Sequence, residues 1–182
     1  MHVKTKQIAF LGLLTAIVTI GIVMGSIIES NTLFLLAASA FAVGIAAREY
    51  GLRMAVAFWL ACLFLGVIVS PNKLYMITYG VLSFYILFEE ASYRYVSKRW
   101  NEKGKWVHFF SKWIVFNLCY FPMLLLFPKI FYGGKISTLL LVGIAVAGQF
   151  GWFIYDRAYQ YFQGVLWTKF RKRLGFFDEI GQ

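Results

Sequence analysis

Six long, predominantly apolar stretches alternate with short polar breaks along the chain: residues 8–28, 32–47, 54–70, 74–88, 106–127 and 136–155. A helix rises about 1.5 Å per residue and the bilayer's hydrocarbon core is about 30 Å thick, so roughly 20 apolar residues cross it. The first stretch is uncharged for 21 residues. It exceeds the ~7 to 15 apolar residues of a cleaved secretion signal and reads as a retained span. The second ends at Arg48 and Glu49, and the third is stopped by Pro71, since proline cannot continue the helical ladder without loss. The fourth has only 15 residues before Glu89 and is expected to tilt little or to borrow Tyr93 and Tyr95 at the interface. The fifth carries Lys112 near its start and Pro122 within it, which predicts a kink. Beyond the sixth, Tyr159, Phe162, Leu166 and Phe170 recur at helical spacing opposite basic positions. They predict a C-terminal amphipathic segment, either an interfacial helix or an extension of the last span. The expected fold is all-α, a polytopic membrane bundle of six transmembrane helices forming one domain over residues 1–182.

Composition identifies the solvent. The chain is 60% hydrophobic, 20% aromatic and 14% charged, whereas soluble domains run at about 45–50% apolar and about 25% charged. It carries more apolar surface than its own core can hide, and it is the reverse of the polar composition that keeps chains disordered. Lys and Arg total 18 against 8 for Asp and Glu, a formal net charge of +10. In a soluble protein that surplus would suggest nucleic acid, so its position matters. If the chain is threaded six times, only Lys73, Lys129 and Lys135 fall on one side, and the remaining 15 of the 18 fall on the other. Under the positive-inside rule both termini lie in the cytoplasm of a plasma-membrane protein, the charge meets anionic headgroups, and no nucleic-acid partner is expected. Trp100, Trp106, Trp113, Trp152 and Trp167 near segment ends suit interfacial aromatic belts.

Signals for catalysis are missing. There is no H-E-x-x-H, no Walker A loop, no G-x-S-x-G and no C-x-x-C. His2 and His108 lack a spaced ligand set, so neither a metal nor another cofactor is implied. Glu89 and Glu90 are consecutive, point about 100° apart on a helix and sit close to Arg94, so they read as a solvated helix end. Cys62 and Cys119 lie inside apolar runs and leave the redox compartment open. The reading is a protein that is not an enzyme and that cannot by itself power transport by hydrolysis.

Polar groups deep in lipid are costly and therefore informative. Asn117 and Gln149 fall near the midplane of the fifth and sixth spans, either as an interhelical amide pair or as hydrogen-bonding groups of a ligand cavity. On the outer surface Lys73, Lys129 and Lys135 interleave with Asn72, Tyr75, Tyr79, Phe131 and Tyr132, near Glu29 and Asn31. That mixture suits a flat anionic solute held by stacking and charge, and it equally suits ordinary loops. Small-x-x-x-small stripes at Gly12 and Ala16, Gly21 and Gly25, and Gly143 and Ala147 allow close helix approach, inside the bundle or to another subunit. The basic loop at residues 97–105 faces headgroups or a cytoplasmic partner.

The basic start KTKQ, the first span IAFLGLLTAIVTIGIV and the segment FLLAASAFAVGIAAREYGLR resemble the substrate-capture (S) components of energy-coupling factor vitamin transporters. The turn Pro71, Asn72 and Lys73 is similar to that of other six-span membrane proteins of this kind. The resemblance implies a six-span subunit that takes a micronutrient from outside. Such a subunit docks through its first span onto a transmembrane coupling subunit served by two separate ATPase subunits. The docking motif A-x-x-x-A matches Gly12 and Ala16, with glycine in the first place. On this reading Asn72, Lys73, Tyr75, Asn117 and Gln149 are substrate-binding candidates for a small-molecule solute. The rival is a structural membrane protein that recruits a partner through the 97–105 loop and the C-terminal helix, with Asn117 and Gln149 bonded to each other.

Overall fold

The computed structural model describes residues 2–99, 104–126 and 137–174. All the regular elements among them are helical: α1 (His2–Ile27), a single 3-10 turn (Glu29–Asn31), α2 (Thr32–Tyr50), α3 (Leu52–Val69), α4 (Lys73–Arg99), α5 (Gly104–Leu126) and α6 (Thr138–Tyr161). A π-helical stretch, Phe162–Trp167, then leads without a break into α7 (Thr168–Leu174), so the C-terminal amphipathic segment extends the last long helix. Lys129, Lys135, Phe131 and Tyr132 lie outside the described residues, as do residues 100–103 of the basic loop.

Each boundary has a local cause. Between α1 and α2, the Thr32 hydroxyl donates to the Gly25 carbonyl at 2.7 Å, occupying an acceptor freed at the end of α1. Gly51 alone separates α2 from α3. It has φ +87°, which side chains with a Cβ rarely adopt, and its N–H closes α2 on the Ala47 carbonyl at 3.0 Å. Helix α3 ends where Ser70 turns extended ahead of Pro71. Asn72 Oδ1 then caps α4 by accepting from Leu74 N at 3.0 Å. Helix α5 runs on through Pro122, and Ser137 Oγ caps α6 by accepting from Leu140 N at 3.3 Å.

Helix α2 is central and packs against α1, α3 and α4. Its run from Ser39 to Ala47 is buried throughout, because small residues let neighbouring backbones approach. The Gly44 position touches the Tyr159 ring and the Gln163 amide so closely that a Cβ has no room. Around this centre, Val18, Ile22, Leu36, Val43, Cys62 and Ile86 form the most buried part of the core. The outside is apolar as well: Phe34, Phe64, Leu118 and Phe150 are each at least 70% exposed. Such a surface suits acyl chains rather than water.

Five helical segments are long and apolar enough to cross a membrane: Thr5–Ile27, Thr32–Tyr50, Leu52–Val69, Trp106–Leu126 and Thr138–Arg171. The expected fourth rod differs. Its apolar run continues as helix into Glu89, Glu90 and Arg94, so α4 falls short by composition while packing against α2, α3 and α5. Helix directions alternate, as contacts at the two ends record. Ser26 bonds Ser70 at one end, while Arg48 bonds Glu90 and Trp167 bonds Glu49 at the other. The second end gathers most of the described basic residues and is called the basic end below.

Candidate functional site: a buried charge cluster beside a cleft

Glu89 and Glu90 overturn the expectation of a solvated helix end, because both are buried, at 5% and 3% exposure. Their divergence of about 100° along the helix explains how two adjacent acids both find cations, since each faces a different neighbour. Glu90 turns toward α2 and α6. Its Oε1 accepts from Arg48 Nε at 2.7 Å and from the Tyr159 hydroxyl at 2.6 Å, and Arg48 Nη2 lies 2.7 Å away. The Arg48 guanidinium also lies over the Tyr159 ring, 5.8 Å from its centroid.

Glu89 turns toward α5 and α6. Lys112, only 2% exposed, donates to Asp156 Oδ1 at 2.6 Å and to Glu89 Oε1 at 3.4 Å. Asp156 Oδ1 also accepts from the Tyr85 hydroxyl at 2.7 Å, and Oδ2 accepts from Gln160 Nε2 at 3.0 Å. Trp152 Nε1 donates to the Tyr85 oxygen at 3.0 Å. Trp152 is thus a buried member of this network, against its expected place in an interfacial belt. Glu89 Oε2 has no hydrogen-bond partner among the described residues.

Two half-networks therefore meet on one turn of α4, holding three buried carboxylates and the cations Arg48 and Lys112. Replacing a buried ion pair by packed apolar groups is often neutral or stabilising, so stability alone is a weak reason to have one. A cleft of about 380 Å³ opens onto Lys112 and Asp156 between α5 and α6. Its other lining residues are His108, Phe109, Arg157 and Gln160. His108 Nδ1 lies 3.0 Å from the Ser92 hydroxyl, and the Arg157 guanidinium rests over the Phe153 ring, 5.3 Å from its centroid. Among the described residues no group of three or more His, Cys, Asp or Glu is placed to hold a metal ion.

The residues singled out from sequence fall into three separate places. Asn117 and Gln149 meet: Gln149 Nε2 donates to Asn117 Oδ1 at 2.9 Å, Asn117 Nδ2 donates to the Trp113 carbonyl at 2.8 Å, and Trp113 Nε1 donates to Gln149 Oε1 at 3.1 Å. This closed set ties α5 to α6. Asn72 and Lys73 serve the turn at the other end, where Lys73 Nζ donates to the carbonyls of Ser70, at 2.8 Å, and Val67, while Tyr75 packs against the core. Gly12 and Ala16 lie on an exposed face of α1, and a Cβ added at Gly12 would meet nothing within 4 Å.

Comparison with protein families, with curated proteins and with solved structures finds no match. The chemistry of the cluster follows from its own atoms. Sequence reasoning named Lys112 only as a basic residue and Tyr159 only as part of the C-terminal amphipathic stripe, and it left Tyr85 and Asp156 without a role. One available signal was Lys112 itself, a cation inside an apolar run, which needs a buried partner.

Proposed function

We propose that this chain is a multi-pass membrane protein that binds a small charged solute in the cleft at its basic end, with no chemistry of its own. The observation that carries this reading is Lys112, a fully buried ammonium held by Asp156 and Glu89 at the floor of an open cleft. Ionisable groups inside membrane helices are expensive and mark ligand or ion sites. The cleft volume falls within the ~300–1,000 Å³ of small-molecule sites, and its lining pairs one aromatic wall, Phe109, with a few directional polar groups.

The topology that accompanies this reading has six crossings, with both termini and the cleft on the cytoplasmic side. The surplus of Lys and Arg at the basic end supports the orientation. At about 1.5 Å per residue, the 27 residues of α4 reach about 40 Å, enough for a fourth crossing despite its acids. Delivery of the solute to a coupling subunit with separate ATPases extends the resemblance noted above. The open α1 face around Gly12 and Ala16 supports it as the docking side. For the solute itself, the cleft is a better candidate than the residues expected from sequence, because Asn72, Lys73, Asn117 and Gln149 are committed to neighbouring bonds. A scaffolding role is the second reading, favoured by the closed set of Trp113, Asn117 and Gln149, which bonds the two amides to each other.

Native mass spectrometry of the full-length protein, purified in its own lipid, tests the proposal. A co-purifying small molecule is expected on the wild type and absent from the double variant Arg157→Gln, Gln160→Leu, whose altered side chains are exposed. Retention of the same molecule by that variant would move the site elsewhere. A wild type that carries nothing would favour the scaffold.

A further inference from the structure

The cluster does not balance its own charge. Arg48 and Lys112 face Glu89, Glu90 and Asp156, so with all five groups ionised one negative charge is left over in a low-dielectric interior. Glu90 and Asp156 are well supplied with donors. Glu90 Oε1 takes Arg48 and Tyr159, and Asp156 takes Lys112, Tyr85 and Gln160. Glu89 is the poor relation: its Oε1 has a single long contact at 3.4 Å, and its Oε2 is buried with no partner among the described residues. An ionised carboxylate held that way is among the costliest groups a protein interior can carry, and the cheapest remedy is a proton. Because Lys112 and Asp156 line the cleft, water reaches the edge of the cluster and supplies a route for exchange.

We propose that Glu89 is a proton-binding site, and that its proton sets which ligand charge the cleft accepts. The ligand half rests on the solute-binding reading above; the proton half stands on the charge count and the orphaned oxygen. With Glu89 neutral, the five groups sum to zero. The lining then presents the unused Lys112 donor, the Arg157 guanidinium and His108 to an anionic group, while both Asp156 oxygens are occupied from within. With Glu89 ionised, the extra negative charge lies within 3.4 Å of Lys112 and opposes an anion. The groups whose charge acts on it are Lys112 from α5, Asp156, Tyr155 and Tyr159 from α6, Arg48 from α2, and Tyr85 and Glu90 on α4 itself. The ligand chemistry is that of a phosphate or carboxylate monoanion, from a soluble solute or a lipid headgroup.

Two measurements on the full-length protein in nanodiscs separate the two halves. Infrared difference spectra across a pH titration are expected to show a protonated-carboxyl band at neutral pH that is lost in Glu89→Gln and kept in His108→Gln. No such band, or a band that survives Glu89→Gln, overturns the proton site. Dimethyl phosphate stays a monoanion over the whole range and so reports on the protein's charge alone. In a His108→Gln background, which removes the cleft-lining imidazole, its binding is expected to weaken about tenfold or more from weakly acidic to alkaline pH and to become pH-independent once Glu89→Gln is added. A carboxyl band without dimethyl phosphate binding leaves the proton site standing and refutes the anion-binding half. Binding equal at both pH extremes in the His108→Gln background removes the coupling. Phosphatidic acid nanodiscs that compete with the probe where phosphatidylcholine nanodiscs do not assign the headgroup as the source; equal binding in both assigns the soluble anion.

Discussion

Replacing Lys112 by methionine removes a cation that two buried carboxylates share. The side chains of Asp156 and Glu89 are each only 6% exposed, so in Lys112→Met water does not take over the lost partner. Asp156 keeps Tyr85 and Gln160, and Glu89 keeps no donor that the structure records. Breaking a buried pair by deleting one partner costs about 3–5 kcal/mol, a factor of roughly 10² to 10⁴ in the folded-to-unfolded ratio. The assay is reversible unfolding in mixed micelles, followed by tryptophan fluorescence, with Trp152 reporting from inside the network. Adding Asp156→Asn to Lys112→Met should recover about half of the loss or more, since an amide can still accept from Tyr85 without a buried charge. Acidification should recover part of it in the single variant by neutralising the same carboxylates. A Lys112→Met loss under about 1 kcal/mol, the level of a surface pair, would refute the reasoning that Glu89 and Asp156 are too deeply buried for water at the cleft edge to replace the lost cation.

Two glycines of the same residue type should answer oppositely. Gly44→Ala drives a Cβ into the Tyr159 ring and the Gln163 amide and is expected to cost about 1–3 kcal/mol in the same unfolding assay, whereas Gly12→Leu on the open face of α1 should leave stability unchanged and disturb only assembly with a partner, read by co-purification. Between α5 and α6, Asn117→Leu combined with Gln149→Leu should cost only about 1 kcal/mol, because it removes two interhelical hydrogen bonds that in membranes average roughly 0.6 kcal/mol each, and should leave the co-purifying solute in place. Loss of the solute with an intact fold would return these two residues to the binding site.

The helices were legible because lipid imposes a strong rule: a run near 20 apolar residues has little choice but to be a helix. The breaks at Gly51 and Pro71 follow from backbone chemistry that any reader of the sequence can apply. The fourth helix was read too short, since an apolar count stops at Phe88 while the helix runs to Arg99. Its acids were misplaced for the same reason. Hydropathy scores Glu89 and Glu90 as a boundary, but their partners, Lys112 and Arg48, lie 23 and 42 residues away along the chain. Local pattern carries no information about which distant cation arrives there. The amide pair shows the complementary case. Depth along consecutive helices was enough to predict that Asn117 and Gln149 are level, and the structure adds Trp113, which closes the set.

The most direct test of a solute cleft opening on the cytoplasmic side is cysteine labelling in sealed membranes. In a background with Cys62 and Cys119 replaced, Arg157→Cys and Gln160→Cys each place one thiol at the cleft. A membrane-impermeant maleimide is predicted to label both in inside-out vesicles and neither in right-side-out vesicles. Labelling from the outside alone, or from neither side, would contradict the account.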